Sequence, residues 1–250
     1  MANGKRNGPR SGKPRAGKPA NSKPRQPAVP KPAVPQPSAP QPAPPGPVAP
    51  EPEPAESFAL GAIPGATPGK WIDIWNDRMP RTRLDLIPLS VAHQRGALLG
   101  REVDAALVRE PIDQDGLHVI ALYDEVTVVV VAADSHLTAA DELDAADLEG
   151  EVLIVPQDDV LRLAVDGTLA PRFDPPETTA DAIATAAAGV GVVIVPMSLA
   201  RLHHRKDAEY RLLRDAPSSR VSLAWVADRT TPEVEAFVGI VRGRTANSSR

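Results

Sequence analysis

The sequence predicts an α/β protein with two lobes, preceded by a basic, proline-rich tail. Strands and helices alternate from residue 57 to about residue 109, and a second set of both follows residue 134. The last strand and helix lie beyond residue 217, where they are free to rejoin the first set. Short alternating elements of this kind build α/β sheets, and ligands of open sheets bind at the carboxyl ends of the strands. We therefore expect the functional site in the cleft between the lobes.

The first lobe begins with "SFALGAI", an apolar strand that stops at Pro64. The segment "PGKWIDIWNDRMP" has apolar residues at helical spacing between a proline at its start and another at its end. A strand "RLDLIP" and a helix "SVAHQRGALLGRE" follow, with Ser90 as the expected N-cap. The nearly all-apolar "VDAALV" is typical of a strand that is buried on both faces.

The second half repeats the alternation. The apolar runs "EVTVVVVAAD", "VLIVP" and "VGVVIVP" predict strands, and "ADAIATAAAG" predicts a helix. The segment "MSLARLHHR" predicts a short helix, "EYRLL" and "RVSLAWVAD" predict strands, and "PEVEAFVGIVRG" predicts a final amphipathic helix. We assign residues 58–133 and 218–244 to subdomain I and residues 134–217 to subdomain II.

The first 57 residues differ in composition from the rest. Residues 1–50 carry nine basic side chains and no acidic one, which leaves the remainder with 19 basic against 32 acidic residues. Of the chain's 29 prolines, 17 precede residue 55. Because so little apolar surface is available for burial, residues 1–57 are expected to be disordered with a polyproline II bias, and residues 245–250 disordered as well.

Several classes of protein are excluded by motif. The loop "GAIPGATPGKW" has Pro64 and Trp71 where a Walker loop needs glycine and Ser or Thr, so nucleotide binding is not expected. GxSxG, HExxH and cysteine are absent, and adjacent His203 and His204 make a poor metal site. We expect no enzyme activity, no metal and no cofactor. With neither a signal peptide nor a long apolar segment, the expectation is a cytoplasmic protein without membrane contact.

The order of these elements resembles the effector-binding (substrate-binding) domain of LysR-type transcriptional regulators. The marks are "LGAIPGATP", "VDAALVREP", "GLHVIALYDEVTVVVVAADSHL", "DLEGEVLIV", "AAGVGVVIVPMSLAR" and "TPEVEAFVGIVR". The resemblance runs from about Phe58 to Arg242. It implies a periplasmic-binding-protein-like fold of type 2, in which two crossing strands join two α/β subdomains. It also implies a homodimer that binds a small-molecule effector in the interlobe cleft.

The resemblance stops short of the DNA-binding part. Regulators of this type begin with a winged helix-turn-helix, whereas this chain has the basic proline-rich tail in that place. The first hypothesis is therefore a non-enzymatic, transcription-related sensor without its own helix-turn-helix. The alternative is a nucleic-acid-associated interaction protein, whose tail contacts DNA or RNA nonspecifically and whose body is a dimerising scaffold. A tail that only solubilises or tethers is a third interpretation.

Eight residues are candidates for ligand binding. Gly65, Ala66 and Thr67 lie where a strand ends and a helix begins, a place where free N–H groups favour an anion. The resemblance places this loop in the effector cleft, and a tight turn that requires glycine explains it equally well. Arg109 ends its strand and could bind a ligand carboxylate in a bidentate manner, or form a salt bridge with Glu110 or another acid.

The other four candidates lie in the second lobe. Thr178 and Thr179 could present hydroxyls to the cleft, although N-capping accounts for them. Pro196 ends a strand, where a plain turn is the simpler interpretation. Gln157 occupies a helix start at which related chains commonly place Ser or Thr. Asp158 and Asp159 follow it and would repel an anion there, so a neutral or cationic effector, or a pocket without its ancestral use, is expected.

Overall fold

A computed structural model describes residues 57–243. The predicted tail and C-terminus therefore lie outside the described residues, apart from Ser57, which opens the first strand. The strands are β1 (Ser57–Ala62), β2 (Arg83–Pro88), β3 (Ala105–Arg109), β4 (Leu117–Glu125), β5 (Thr127–Ala132), β6 (Glu142–Leu143), β7 (Val193–Pro196), β8 (Ala208–Leu213) and β9 (Ser219–Val226). The α-helices are α1 (Gly69–Arg78), α2 (Gln94–Leu99), α3 (Thr179–Ala187), α4 (Met197–Leu202) and α5 (Pro232–Val241).

The first sheet has the strand order β2-β1-β3-β9-β4. Strand β1 pairs in parallel with both β2 and β3, which fits the strand–helix–strand order of this part of the chain. Strand β9, from near the end of the sequence, inserts antiparallel between β3 and β4. The late strand thus returns to the first lobe, as the sequence predicted.

Aromatic packing fixes the terminal helix on the first lobe. Phe58 of β1 stacks on Trp75 of α1 with ring centroids 4.7 Å apart, and Phe237 of α5 lies 5.4 Å from Phe58. All three side chains are fully buried in the core on this face of the sheet. The indole N–H of Trp75 donates to the carbonyl oxygen of Thr82 at 3.0 Å, so the one polar atom of this large ring is satisfied.

The second sheet has the order β6-β8-β5-β7. Every residue of β5 is buried, because the strand is covered on both faces. Val128 and Val130 face the alanine-rich side of α3, whereas Val129 and Val131 face a separate apolar cluster that includes Leu148. A strand that packs against apolar residues on both faces is expected to have a continuous apolar sequence, and "VTVVVVA" is such a sequence.

The chain crosses between the sheets twice. Strand β4 ends at Glu125 in the first sheet and β5 begins at Thr127 in the second, so Val126 marks the first crossing. The second crossing lies between the end of β8 at Leu213 and the start of β9 at Ser219. The predicted first boundary after residue 133 is therefore too late, because β5 pairs only with strands of the second sheet. Because Val126 is apolar like the strand that follows it, the sequence contains no sign that the chain changes lobes there.

The predicted strand "VLIVP" forms only two isolated bridges, Val152 with Leu169 and Leu153 with Val192. Here the backbone of Gly191 passes close to Val152. A Cβ placed on Gly191 would lie within 2.9 Å of the Val152 Cβ, and still closer to the carbonyl oxygen of Val152. The amide of Val192 donates to that same carbonyl oxygen at 2.9 Å. Glycine at position 191 thus permits this strand contact.

We predict that Gly191→Ala lowers the free energy of unfolding by about 1–3 kcal/mol, because the new methyl group forces two backbones apart. The matched control is Gly239→Ala in α5, where a Cβ would meet no atom within 4 Å. Alanine is the better helix former, so the control should keep or raise the stability. Urea denaturation followed by circular dichroism measures both variants. Equal stabilities for the two would contradict the close approach.

Candidate functional site

A cavity of about 580 Å³ lies between the two lobes. Three segments line it: the loop Gly65–Thr67 of the first lobe, the crossing segment Tyr123–Val126, and four residues of α4 in the second lobe. The four are Met197, Ser198, Arg201 and Leu202. The volume is within the range of small-molecule sites, and the walls come from both lobes. This cavity is the candidate functional site.

The loop Gly65–Thr67 combines the two interpretations that the sequence left open. Gly65 has φ of +85°, which favours glycine, and Ala66 donates its N–H to the carbonyl oxygen of Ile63 at 3.2 Å. The loop is thus a tight turn that also lines the cavity. A Cβ on Gly65 would lie 2.8 Å from the Cβ of Ser198, so the lobes touch here. Whether the loop binds a ligand stays a prediction.

Arg109 does not line the cavity but lies behind its wall. Its side chain is only 1% exposed, and Nη1 donates to Glu125 Oε2 at 2.9 Å and to Ser219 Oγ at 2.5 Å. The salt bridge considered as an alternative is therefore present, with Glu125 as the acid. Glu110, the acid named first from the sequence, instead accepts a hydrogen bond from Ser222.

Glu125 connects the lobes. The side chain of this last residue of β4 is 9% exposed, and its Oε2 accepts a second hydrogen bond, from Ser198 Oγ at 2.8 Å. Arg109 belongs to the first lobe and Ser198 to α4 of the second, so one carboxylate oxygen binds a group from each. We name the three side chains Arg109, Glu125 and Ser198 the interlobe triad.

The backbone of Arg109 is fixed as firmly as its side chain. Gln94, at the start of α2, is 4% exposed and makes two hydrogen bonds of 2.9 Å to the N–H and C=O of Arg109. Among residues 57–243, Nε and Nη2 of Arg109 have no partner. Gln94, Glu125 and Ser198 were not among the candidates predicted from the sequence. The acid that ends "IALYDE" was the signal that could have identified Glu125.

Two other lining side chains have shifted pKa values. Burial, followed by the nearby Glu125 carboxylate, raises the pKa of Tyr123, so its phenol stays neutral at neutral pH and can donate a hydrogen bond. The hydrogen bond from Arg220 lowers the pKa of Asp124, with Nε at 2.8 Å from Oδ1, so this acid is charged and paired. Both carboxylates of the cavity wall thus have an arginine partner.

Thr178 and Thr179 serve the start of α3 and do not line the cavity. Thr178 Oγ1 accepts from the amide of Asp181 at 3.2 Å and donates to its carboxylate at 2.6 Å. Thr179 is buried and donates to Asp158 Oδ1 at 2.8 Å. The N-capping explanation accounts for Thr178, whereas Thr179 holds the preceding loop. Both hydroxyls already have protein partners.

Gln157 and Pro196 also lie outside the cavity lining. The side chain of Gln157 is exposed and donates to the carbonyl oxygen of Pro175 at 3.3 Å. Pro196 is buried at the end of β7 and stands at the N-cap position of α4, directly before the lining residue Met197. No separate turn follows Pro196, because β7 passes directly into α4 there. A ligand role for either residue stays a prediction.

Asp158 and Asp159 have internal roles that change the expected charge of the site. The Asp158 carboxylate accepts the hydroxyl of Thr179, and Asp159 accepts the amides of Leu161 and Arg162 at 3.0 and 2.9 Å. Neither acid lines the interlobe cavity. Repulsion by Asp158 and Asp159 therefore does not oppose an anionic effector in this cavity.

A larger groove of about 920 Å³ lies in the second lobe near the second crossing. Its charged lining residues are Asp144, Glu149, Asp166, Asp215 and Arg214. Arg214 already binds Asp144 in a bidentate manner, with distances of 2.7 and 2.5 Å. The groove touches only the second lobe and the crossing, and none of the predicted site residues lines it. The smaller interlobe cavity is the better candidate for a site that both lobes share.

Comparison with known proteins identifies the family. The LysR substrate binding domain matches residues 53–246. The chain belongs to this family. It is 26% identical over 205 residues to the Hca operon transcriptional activator HcaR of Escherichia coli (strain K12), across 75% of this chain and 68% of HcaR.

Solved LysR-type structures share the fold. The BenM effector-binding domain with its effector benzoate superposes with a TM-score of 0.62 at 18% identity, covering 75% of this chain and 91% of that one. A full-length OxyR variant from Pseudomonas aeruginosa superposes with a TM-score of 0.60 at 22% identity, covering 76% of this chain and 68% of that one. The predicted two-lobed, periplasmic-binding-protein-like α/β fold of type 2 is confirmed.

Some predictions concern residues that the structure does not describe. Two predictions depend on residues 1–57: that no winged helix-turn-helix is present, and that the tail contacts nucleic acid. These residues lie outside the described range except for Ser57, so both stay predictions. Within residues 57–243, no helix is long and apolar enough to cross a membrane. The same residues contain no cluster of three or more His, Asp or Glu side chains that could hold a metal ion.

We predict that Glu125→Leu lowers the free energy of unfolding by about 3–5 kcal/mol, because it leaves the buried Arg109 charge without a counter-ion. Adding Arg109→Met to this variant should restore part of the loss, since the double variant buries no charge. Asp124→Asn is the control, because it breaks the exposed ion pair between Asp124 and Arg220, whose side chains are 47% and 50% exposed. It should change the stability little.

Chemical denaturation of the unchanged chain, the two single variants Glu125→Leu and Arg109→Met, their double variant and Asp124→Asn measures these differences in stability. A Glu125→Leu variant as stable as Asp124→Asn, or strictly additive losses in the double variant, would contradict a coupled buried pair.

Proposed function

We propose that this chain is the effector-binding part of a transcription regulator and that a small molecule binds in the interlobe cavity without being chemically changed. The observation that carries the proposal is the cavity itself. Its walls come from both lobes, and its volume of about 580 Å³ suits a small molecule. Membership of the LysR substrate-binding-domain family supports the same function.

The geometry suggests how binding would act. The loop Gly65–Thr67 and helix α4 face each other across the cavity, and Tyr123–Val126 forms the wall where the chain changes lobes. A ligand that contacts all three segments stabilises the form in which they are close. It therefore shifts the population of open and closed forms by its difference in affinity for them. The signal would pass to a second copy of the chain in a homodimer.

The loop Gly65–Thr67, which ends just before the N-cap residue Pro68 of α1, and the residues of α4 are the ligand contacts in this proposal. The amides of Trp71 and Ile72 in the first turn of α1 donate to the carbonyl oxygen of Pro68, so the loop before the helix is the part that would meet the ligand. Arg109 takes part through Glu125 and not by direct contact, because it is buried behind the cavity wall.

Thermal-shift and calorimetric titration of the 250-residue chain tests the proposal. Benzoate, the effector of the relative BenM, and a panel of small aromatic and aliphatic metabolites are suitable first ligands. A ligand that binds the native state should raise the melting temperature in a saturable manner. If no compound of the panel binds, a ligand-free scaffold becomes the better account.

We predict that Gly65→Ala weakens binding of any such ligand at least about tenfold, because the new methyl group presses against Ser198 at the cavity wall. The matched control is Gly116→Ala, which has a similar φ of +73° against +85° for Gly65 but has no atom within 4 Å of the added Cβ. Both variants carry the strain of a left-handed residue, so calorimetry should show a loss of affinity for Gly65→Ala alone. Equal losses of affinity in the two variants would show that the loop Gly65–Thr67 is not part of the ligand site.

A further inference from the structure

Among residues 57–243, no acid forms an ion pair with Arg201, which is the cation in the cavity wall. It lines the cavity from α4, and within residues 57–243 its guanidinium has one polar partner, the Tyr210 hydroxyl, 3.4 Å from Nε. The two acids of the wall are occupied elsewhere: Glu125 binds Arg109 and Asp124 binds Arg220. The net charge of the wall residues and their ion-pair partners is therefore +1, and Arg201 carries this charge.

The same cavity contains exposed apolar side chains. Tyr123, Val126 and Leu202 are 36%, 45% and 55% exposed, and all three line this cavity. The lining residues Ala66 and Met197 add further apolar atoms beside them. Apolar surface left in water next to a concave wall is typical of a ligand site, because burying it under a ligand is favourable.

We propose that the effector of this chain is a monocarboxylate with an apolar body, and that Arg201 is the residue that recognises its carboxylate. This rests on the proposed function and adds the ligand class and the specificity-determining side chain. The guanidinium fork matches a carboxylate with two parallel hydrogen bonds, as Arg205, Arg214 and Arg220 show with aspartates in this chain. The apolar body then covers Tyr123, Val126 and Leu202.

The charge balance distinguishes this class from two others. A cationic ligand would add a second positive charge beside Arg201, with both wall acids already paired. A phosphate monoester carries close to two negative charges at neutral pH, so one of them would remain unbalanced next to Glu125 and Asp124. Arg109, the arginine chosen from the sequence, is a poorer partner because Glu125 already neutralises it behind the wall.

Matched ligand pairs test the inference. Each pair consists of a carboxylate and the primary carboxamide of the same skeleton: benzoate and benzamide, cyclohexanecarboxylate and cyclohexanecarboxamide, hexanoate and hexanamide. Chemical-shift titration of the ¹⁵N-labelled 250-residue chain gives the affinity, and the amides of Gly65–Thr67 report whether binding is in the cavity. We expect the carboxylate of at least one pair to bind about tenfold or more tightly than its amide.

Arg201→Met should abolish this preference while leaving affinity for the amide unchanged. Arg205→Met is the control, because Arg205 is exposed, pairs with Asp207 and does not line the cavity.

If amides bind as tightly as carboxylates, the ligand class is wrong while the proposed function stands. If Arg201→Met keeps the full preference, the assignment of Arg201 is wrong. If no member of any pair perturbs the cavity amides, the inference is overturned, and silence of the wider metabolite panel would then overturn the proposed function as well.

Discussion

A buried positive charge at the end of β3 constrains the centre of this molecule. Arg109 is 1% exposed, and a guanidinium in that position must have a counter-ion. Glu125 supplies it from the last residue of β4, immediately before the chain crosses to the second sheet. The same carboxylate oxygen accepts the hydroxyl of Ser198, so neutralising one charge also connects the lobes. We infer that the pair mainly fixes one arrangement of its surroundings, since the cost of removing two charges from water offsets much of their attraction.

The position of the interlobe triad explains why the cavity lies where it does. Glu125 and Ser198 are lining residues, and Gly65 lies against Ser198 from the opposite lobe. Both acids of the wall form ion pairs with arginines, whereas Arg201 has no acidic partner among residues 57–243. A site built in this way combines a rigid polar frame with an exposed apolar surface. The family membership, the cavity and the charge pattern are consistent with the sensing of a small molecule.

The sequence revealed the fold better than the site. Helical spacing around Phe237 predicted α5, and the cap at Thr178 is present, because both depend on neighbours within a few residues. Ser90 instead bonds the amide of His93, just before α2 begins. Within the triad, Arg109 and Glu125 are 16 positions apart in the sequence, and Glu125 and Ser198 are 73 positions apart. No local sequence pattern encodes such pairs. The apolar run through Val126 likewise hid the first crossing, since buried strands of both lobes have the same composition.

The most direct test of the interlobe connection is a distance measurement between the lobes. The chain has no cysteine, so spin labels at Lys70→Cys in the first lobe and Lys206→Cys in the second can be read by pulsed electron paramagnetic resonance, diluted with unlabelled protein. Removing a hydrogen bond worth about 1 kcal/mol changes a population ratio roughly fivefold. The account predicts that Ser198→Ala broadens the distance distribution or shifts it to longer distances. Superimposable distributions with and without the Ser198 hydroxyl would contradict it.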